Sequence, residues 1–216
     1  MHLDEQTLIW FGCLVVAVIL HEISHGVVAW WLGDDTAKRA GRLTLNPVPH
    51  IDPFGSIILP AMGVIAGLPI FGFAKPVPVN PQRLRHPRRD IILVSLAGPT
   101  TNLLLMAVAA LGARAIHDRA GAPPGAIDQS TPSLLLEIVF FFALVNLLLR
   151  LFNLLPIPPL DGSALIERVL PASWLPRWYQ IRPYGLLLLI VLVFSTHLVS
   201  TILNPFYDAL YHFVLS

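Results

Sequence analysis

An all-α, polytopic membrane protein is expected from three features of this 216-residue chain. Hydrophobic residues make up 55% of it and charged residues only 12%, about half the share of an ordinary soluble domain. Mean hydropathy is +0.70, far from the polar, highly charged composition of disordered chains. Apolar runs near the length that crosses a bilayer recur along the sequence. Net charge is +1, so no basic face for nucleic acid is expected. The single cysteine, Cys13, lies in an apolar run and excludes an internal disulfide and a cysteine-built zinc cluster. The length suits one membrane-embedded domain over 1–216.

The first run, 8–32, is apolar to Leu20, then meets His21, Glu22, Ser24 and His25 before recovering. Acids and no Lys or Arg precede it, unlike a secretory signal. The second run, 54–74, is broken by Pro60, Gly63, Gly67, Pro69 and Gly72, and is read as a re-entrant segment lining a wet cavity. Runs 91–116, 134–155 and 184–203 are long enough to span, giving four spanning helices and the re-entrant segment. A short amphipathic tail containing Pro205 follows. The intervening segments, including 156–183, read as connectors.

Charge sets the expected orientation. With the N-terminus outside and 54–74 dipping back, 12 of the 14 Lys and Arg lie at the cytoplasmic side, leaving Arg114 and Arg119 outside. A full crossing at 54–74 gives 9 against 5 at best, so the positive-inside rule favours re-entry. Trp10, Trp30, Trp31, Trp174 and Trp178 read as interface anchors.

His21-Glu22-Ile23-Ser24-His25 is H-E-x-x-H. Four residues of helix put both imidazoles on one face about 6 Å apart along the axis, so they can share one zinc ion while Glu22 reaches the attacking water. Ionisable groups inside a span are costly and usually functional. A third protein ligand is needed. Asp161 stands out behind Pro156, Pro158 and Pro159, which bend the chain, although an Asp-Gly turn closing a helix is the plain alternative. In the expected orientation His21, His25 and Asp161 all fall on the cytoplasmic side.

These motifs resemble the site-2 proteases, the M50 family of intramembrane metalloproteases. The family's H-E-x-x-H is complete at His21–His25 and its N-x-x-P-x-P-x-L-D-G at Asn153–Gly162, and Gly98-Pro99-Thr100-Thr101-Asn102 matches G-P-x-x-N. Stretches 41–47, 50–53 and 74–81 resemble the small subgroup without PDZ or CBS domains, and neither domain is expected here. The resemblance implies a multi-pass enzyme of a cell membrane, expected to be a prokaryotic inner membrane. It implies one Zn²⁺ held by His21, His25 and Asp161, Glu22 as the base, and a transmembrane protein as substrate. It suggests Asn102 for substrate or oxyanion binding; an interhelical polar contact is the alternative. Arg42–Leu45 alternates as an edge strand of a short β-hairpin after the first helix would, open to strand addition by substrate, or is a plain connector. His50 and Asp52 read as a turn-stabilising pair or as lining a water path, His197 as a packed polar residue. A zinc transporter and a catalytically idle interaction protein are the alternatives; transport predicts several sites along a path. Oligomeric state is left open.

Overall fold

The computed structural model describes residues 5–58, 62, 65, 74–120, 134–171, 173–195 and 198–215. Among these, three helices are long and apolar enough to cross a membrane: α1 (Glu5–Trp31), α3 (Pro87–Ala120) and α4 (Leu134–Asn153). At 27 residues α1 is about 40 Å long, more than the roughly 30 Å hydrocarbon layer. Lipid offers helices no hydrophobic reason to associate, so they pack where small side chains allow close approach. Ala109, Ala110 and Ala113 of α3 accordingly meet Leu136, Phe140 and Ala143 of α4 in one buried cluster. Cys13 and Ala17 of α1 meet Val145 of α4 in a second. α4 thus packs on α3 through one cluster and on α1 through the other.

Within the span expected at 184–203, Gly185–Ser195 forms α7 and Leu198–Leu215 forms α8; residues 196–197 lie outside the described residues. The segment read as a tail beyond 203 continues as helix through Pro205 to Leu215. It does so because Leu210, Val214 and Leu215 are buried against the α3–α4 cluster, and Arg114 Nη1 of α3 donates to Phe213 O at 3.0 Å. The connector expected at 156–183 carries two short helices, α5 (Gly162–Val169) and α6 (Leu175–Ile181). Trp178 Nε1–H on α6 donates to Glu167 Oε1 on α5 at 3.0 Å. No strand occurs among the described residues, and Arg42–Leu45 runs as coil and bends. The β-hairpin expected there has no ladder among the described residues. Of the stretch 54–74, Pro53–Ile58 forms a wide π-type turn. Residues 59–61, 63–64 and 66–73, and His197, lie outside the described residues.

Between α1 and α3 the chain is tied down by side chains. Gly33 turns it out of α1 at φ +111°, a conformation that favours glycine. It then forms α2 (Thr36–Arg39). Asp34, fully buried, accepts from Thr36 N at 3.0 Å and from the Thr36 hydroxyl with one oxygen. Its other oxygen accepts from Asn80 N at 2.6 Å. Asp35 lies beside Arg39, whose guanidinium holds its carboxyl below the usual carboxylate range, with help from Arg83 at 2.9 Å. The segment 75–80 is thereby strapped against α1. Lys75 N donates to His50 O at 2.9 Å, and Arg42 Nη2 donates to Lys75 O at 2.7 Å. Pro76 and Pro78 carry no N–H that would need a partner. Gly26 gives the strap room: a Cβ there would lie 2.5 Å from Leu43 Cδ2 and 3.0 Å from Val77 Cγ1.

Replacing Asp34 by Ala orphans the partly buried Asn80 N–H and frees the start of α2. Buried donors left unpaired cost about 1–3 kcal/mol each. Asp34→Ala is therefore expected to melt several degrees below the wild type in detergent; an unchanged melting temperature would show that the strap is held by other contacts.

Candidate metal centre

α1 presents His21 and His25 one turn apart, both more than nine-tenths buried. The bend after α4 brings Asp161 to the same point. Asp161 is the first residue before α5 and makes no side-chain cap bond to that helix. Its Oδ2 lies 3.2 Å from His21 Nε2 and 3.3 Å from His25 Nε2. The two Nε2 atoms are 3.1 Å apart. Among the described residues this is the one group of three or more His, Cys, Asp or Glu gathered closely enough to hold a metal, where a transport path would call for several.

Protonation turns this triangle into a cation site. His25 Nδ1 lies 2.6 Å from Val94 O, and a backbone carbonyl only accepts, so Nδ1 carries the hydrogen. His21 Nδ1 lies 2.5 Å from Asn102 Oδ1 and is protonated likewise. Neutral imidazole carries one N–H, so both Nε2 atoms present lone pairs, and a carboxylate oxygen with no hydrogen-bond partner faces them. Three acceptors meeting with no donor between them repel each other unless a cation is shared. Tetrahedral zinc with bonds of about 2.0–2.1 Å spaces its ligand atoms about 3.3–3.4 Å apart, close to the edges found here. Nitrogen and oxygen donors suit that ion, and Cys13 packs against Val145 instead.

Each motif around the triangle has a steric or electronic reason. Pro99 withholds an N–H from the α3 ladder at Ser95, and the adjacent Val94 carbonyl accepts the His25 hydrogen. Gly98 lets α3 close on the imidazoles: a Cβ there would lie 2.5 Å from both Nε2 atoms. Gly162 lets the Asp161 turn fold back on α4, since a Cβ would meet Leu154 O at 2.4 Å and Leu155 O at 2.5 Å.

Glu22 turns to the strap, where its Oε2 accepts from Val77 N at 2.7 Å. Asn102 is fully buried, and its carboxamide serves His21 on α1 and Asn146 on α4, so the contacts it makes are interhelical. His50 Nε2–H donates to Thr44 O at 3.0 Å. Asp52 accepts from Phe54 N at 3.0 Å and Gly55 N at 2.7 Å. Both hold turns. Sequence reasoning had Gly98 and Val77 only as parts of motifs that carry a resemblance and gave neither a contact of its own. A Gly-Pro pair inside a span was a usable signal for the first, and Pro-x-Pro beside a motif for the second.

The chain is similar to known proteins. The model of peptidase family M50 matches residues 115–194. "Putative zinc metalloprotease YwhC" of Bacillus subtilis is 40% identical over 203 residues, 91% of this chain and 84% of that protein. Rip2 of Mycobacterium tuberculosis strain H37Rv bears the same description and is 34% identical over 179 residues, 82% of this chain and 63% of that protein. Rip2 of Mycolicibacterium smegmatis is 32% identical over 202 residues, 92% of this chain and 70% of that protein. No solved structure matches the chain.

Gly98→Ala places a methyl carbon against both Nε2 atoms. The purified variant is expected to carry little zinc by elemental analysis while the wild type carries it, and full occupancy in the variant would contradict the close approach of α3.

Proposed function

Because the chain belongs to peptidase family M50, we propose that His21, His25 and Asp161 hold its zinc and that Glu22 is the base in peptide hydrolysis. The protein is an intramembrane zinc metalloendopeptidase. The observation that carries the residue assignment is the convergence of three bare lone pairs at 3.1–3.3 Å, one residue along the helix from a carboxylate and inside an apolar span.

When bound there, zinc supplies Lewis acidity, which lowers the pKa of water and polarises the scissile carbonyl. The chain's own residues do the rest. Glu22 accepts the proton of the attacking water and returns it to the leaving nitrogen. Val77 N–H holds one carboxylate oxygen of Glu22, which leaves the other for the proton. The apolar helices exclude bulk water from the buried imidazoles.

The substrate is a transmembrane segment of another protein, and its amides are masked by helical hydrogen bonds. It must enter extended. Leu43–Leu45 offers backbone for an added strand: the backbone N–H groups of Leu43 and Leu45 make no backbone hydrogen bond among the described residues, and Leu43 packs towards Gly26, beside His25. One domain carries the activity. The N-terminus lies outside and the metal centre towards the cytoplasm of a prokaryotic inner membrane. This orientation follows the 12 cytoplasmic basic residues and the depth of His21, about 24 Å along α1 from Glu5.

Glu22→Gln is expected to keep stoichiometric zinc and to lose at least about 10²-fold in cleavage, with uncleaved single-pass proteins accumulating in membrane proteomes. Asp161→Ala is expected to lose the metal. Cleavage retained in Glu22→Gln, or zinc retained in Asp161→Ala, overturns the corresponding role.

A further inference from the structure

Two buried amides connect His21 to a backbone carbonyl on α4, and hydrolysis as described assigns them nothing. Asn102 on α3 and Asn146 on α4 are both fully buried. Asn146 Nδ2 donates to Phe142 O at 2.8 Å. Asn102 Nδ2 donates to Asn146 Oδ1 at 2.8 Å. Asn102 Oδ1 meets His21 Nδ1 at 2.5 Å.

A carboxamide has two nearly isosteric ends, and only its neighbours decide which end faces where. Here the decision starts at Phe142. Its backbone carbonyl can only accept, so Asn146 turns its NH₂ group there. The Asn146 oxygen then faces Asn102, which must present NH₂ to it. The Asn102 oxygen is left for His21, so His21 is protonated at Nδ1 and bare at Nε2. His25 needs no such chain, because Val94 O accepts from it directly. The sequence distinguishes the two histidines in no way; their partners do.

We propose that Asn146 is a positioning residue of the metal centre, acting through Asn102 to fix the tautomer and ring orientation of His21. Without Asn146, Asn102 is free to turn its NH₂ group towards His21. That arrangement favours a hydrogen on Nε2, the atom needed for the metal. Partners of ligating histidines commonly set metal affinity in this way, by about 10–100-fold. The proposal rests on His21 being a zinc ligand, and it concerns affinity rather than turnover.

The test is the zinc dissociation constant of the purified protein in detergent, read by competition with a chelator of known affinity. The variants are Asn102→Leu, Asn146→Leu and the pair. Asn102→Leu is expected to weaken zinc binding about 10–100-fold, and Asn146→Leu by a smaller factor on the order of tenfold. The double variant is expected to bind no more weakly than Asn102→Leu alone, because Asn146 has no other route to His21. A residue that merely packs α4 would lower the melting temperature without this pattern. Asn146→Ser, small enough for a helix interface and too short to reach Asn102, carries the same expectation if the Leu variant does not fold. Wild-type affinity in the Asn146 variants, or losses that multiply in the double variant, overturns the relay. His21→Ala separates the two levels: zinc retained there overturns the ligand assignment and the relay with it. Zinc lost there but unaffected by Asn146 substitution overturns the relay alone.

Discussion

Three acceptor atoms that share no proton cannot rest against one another in a low-dielectric interior. His21 Nε2, His25 Nε2 and Asp161 Oδ2 are held in that arrangement by groups that remove every alternative. The two Nδ1 positions are claimed by Asn102 and Val94. Asp161 is carried in by a turn whose glycine permits no side chain, and its carboxylate is not spent on capping α5. A divalent cation shared by the three atoms would relieve the repulsion. The fold can thus be understood as the set of contacts that keeps these atoms together before the metal arrives.

The membrane shapes how those contacts are made. Helices surrounded by lipid gain little by burying apolar surface against each other, so closeness comes from small residues and polar links. α1, α3 and α4 meet through alanines, through Gly98 at the imidazoles, and through the buried Asn102–Asn146 pair. The polar links are therefore placed where the catalytic geometry needs definition. The wetter segments between α1 and α3 use a different means: Asp34, Asp35 and Arg42 fasten the strap whose Val77 amide holds Glu22.

Much of this was legible in the sequence because it depends on local periodicity. H-E-x-x-H on a helix puts two imidazoles on one face whatever surrounds it, and apolar length marks the spans. Asp161 was legible because three prolines and a glycine announce a bend in an otherwise apolar region. What was not legible depends on pairings between distant residues. Nothing near Asn146 shows that its partner lies 44 positions away, and nothing near Val77 shows that Glu22 lies 55 away. The helical course of the tail through Pro205 was not legible because it rests on the packing of Leu210 and Val214 on α3 and α4. The hairpin after α1 was expected from alternation at Arg42–Leu45; alternation specifies a strand only when a partner completes the ladder, and no such partner is among the described residues.

X-ray absorption at the zinc edge of the purified wild-type protein addresses the ligand set most directly, since it reads the atoms around the ion without any substrate. The account predicts nitrogen and oxygen scatterers at about 2.0–2.1 Å, the outer-shell signature of two imidazoles, and no sulfur. A sulfur scatterer, or the signature of fewer than two imidazoles, would contradict a centre built from His21, His25 and Asp161.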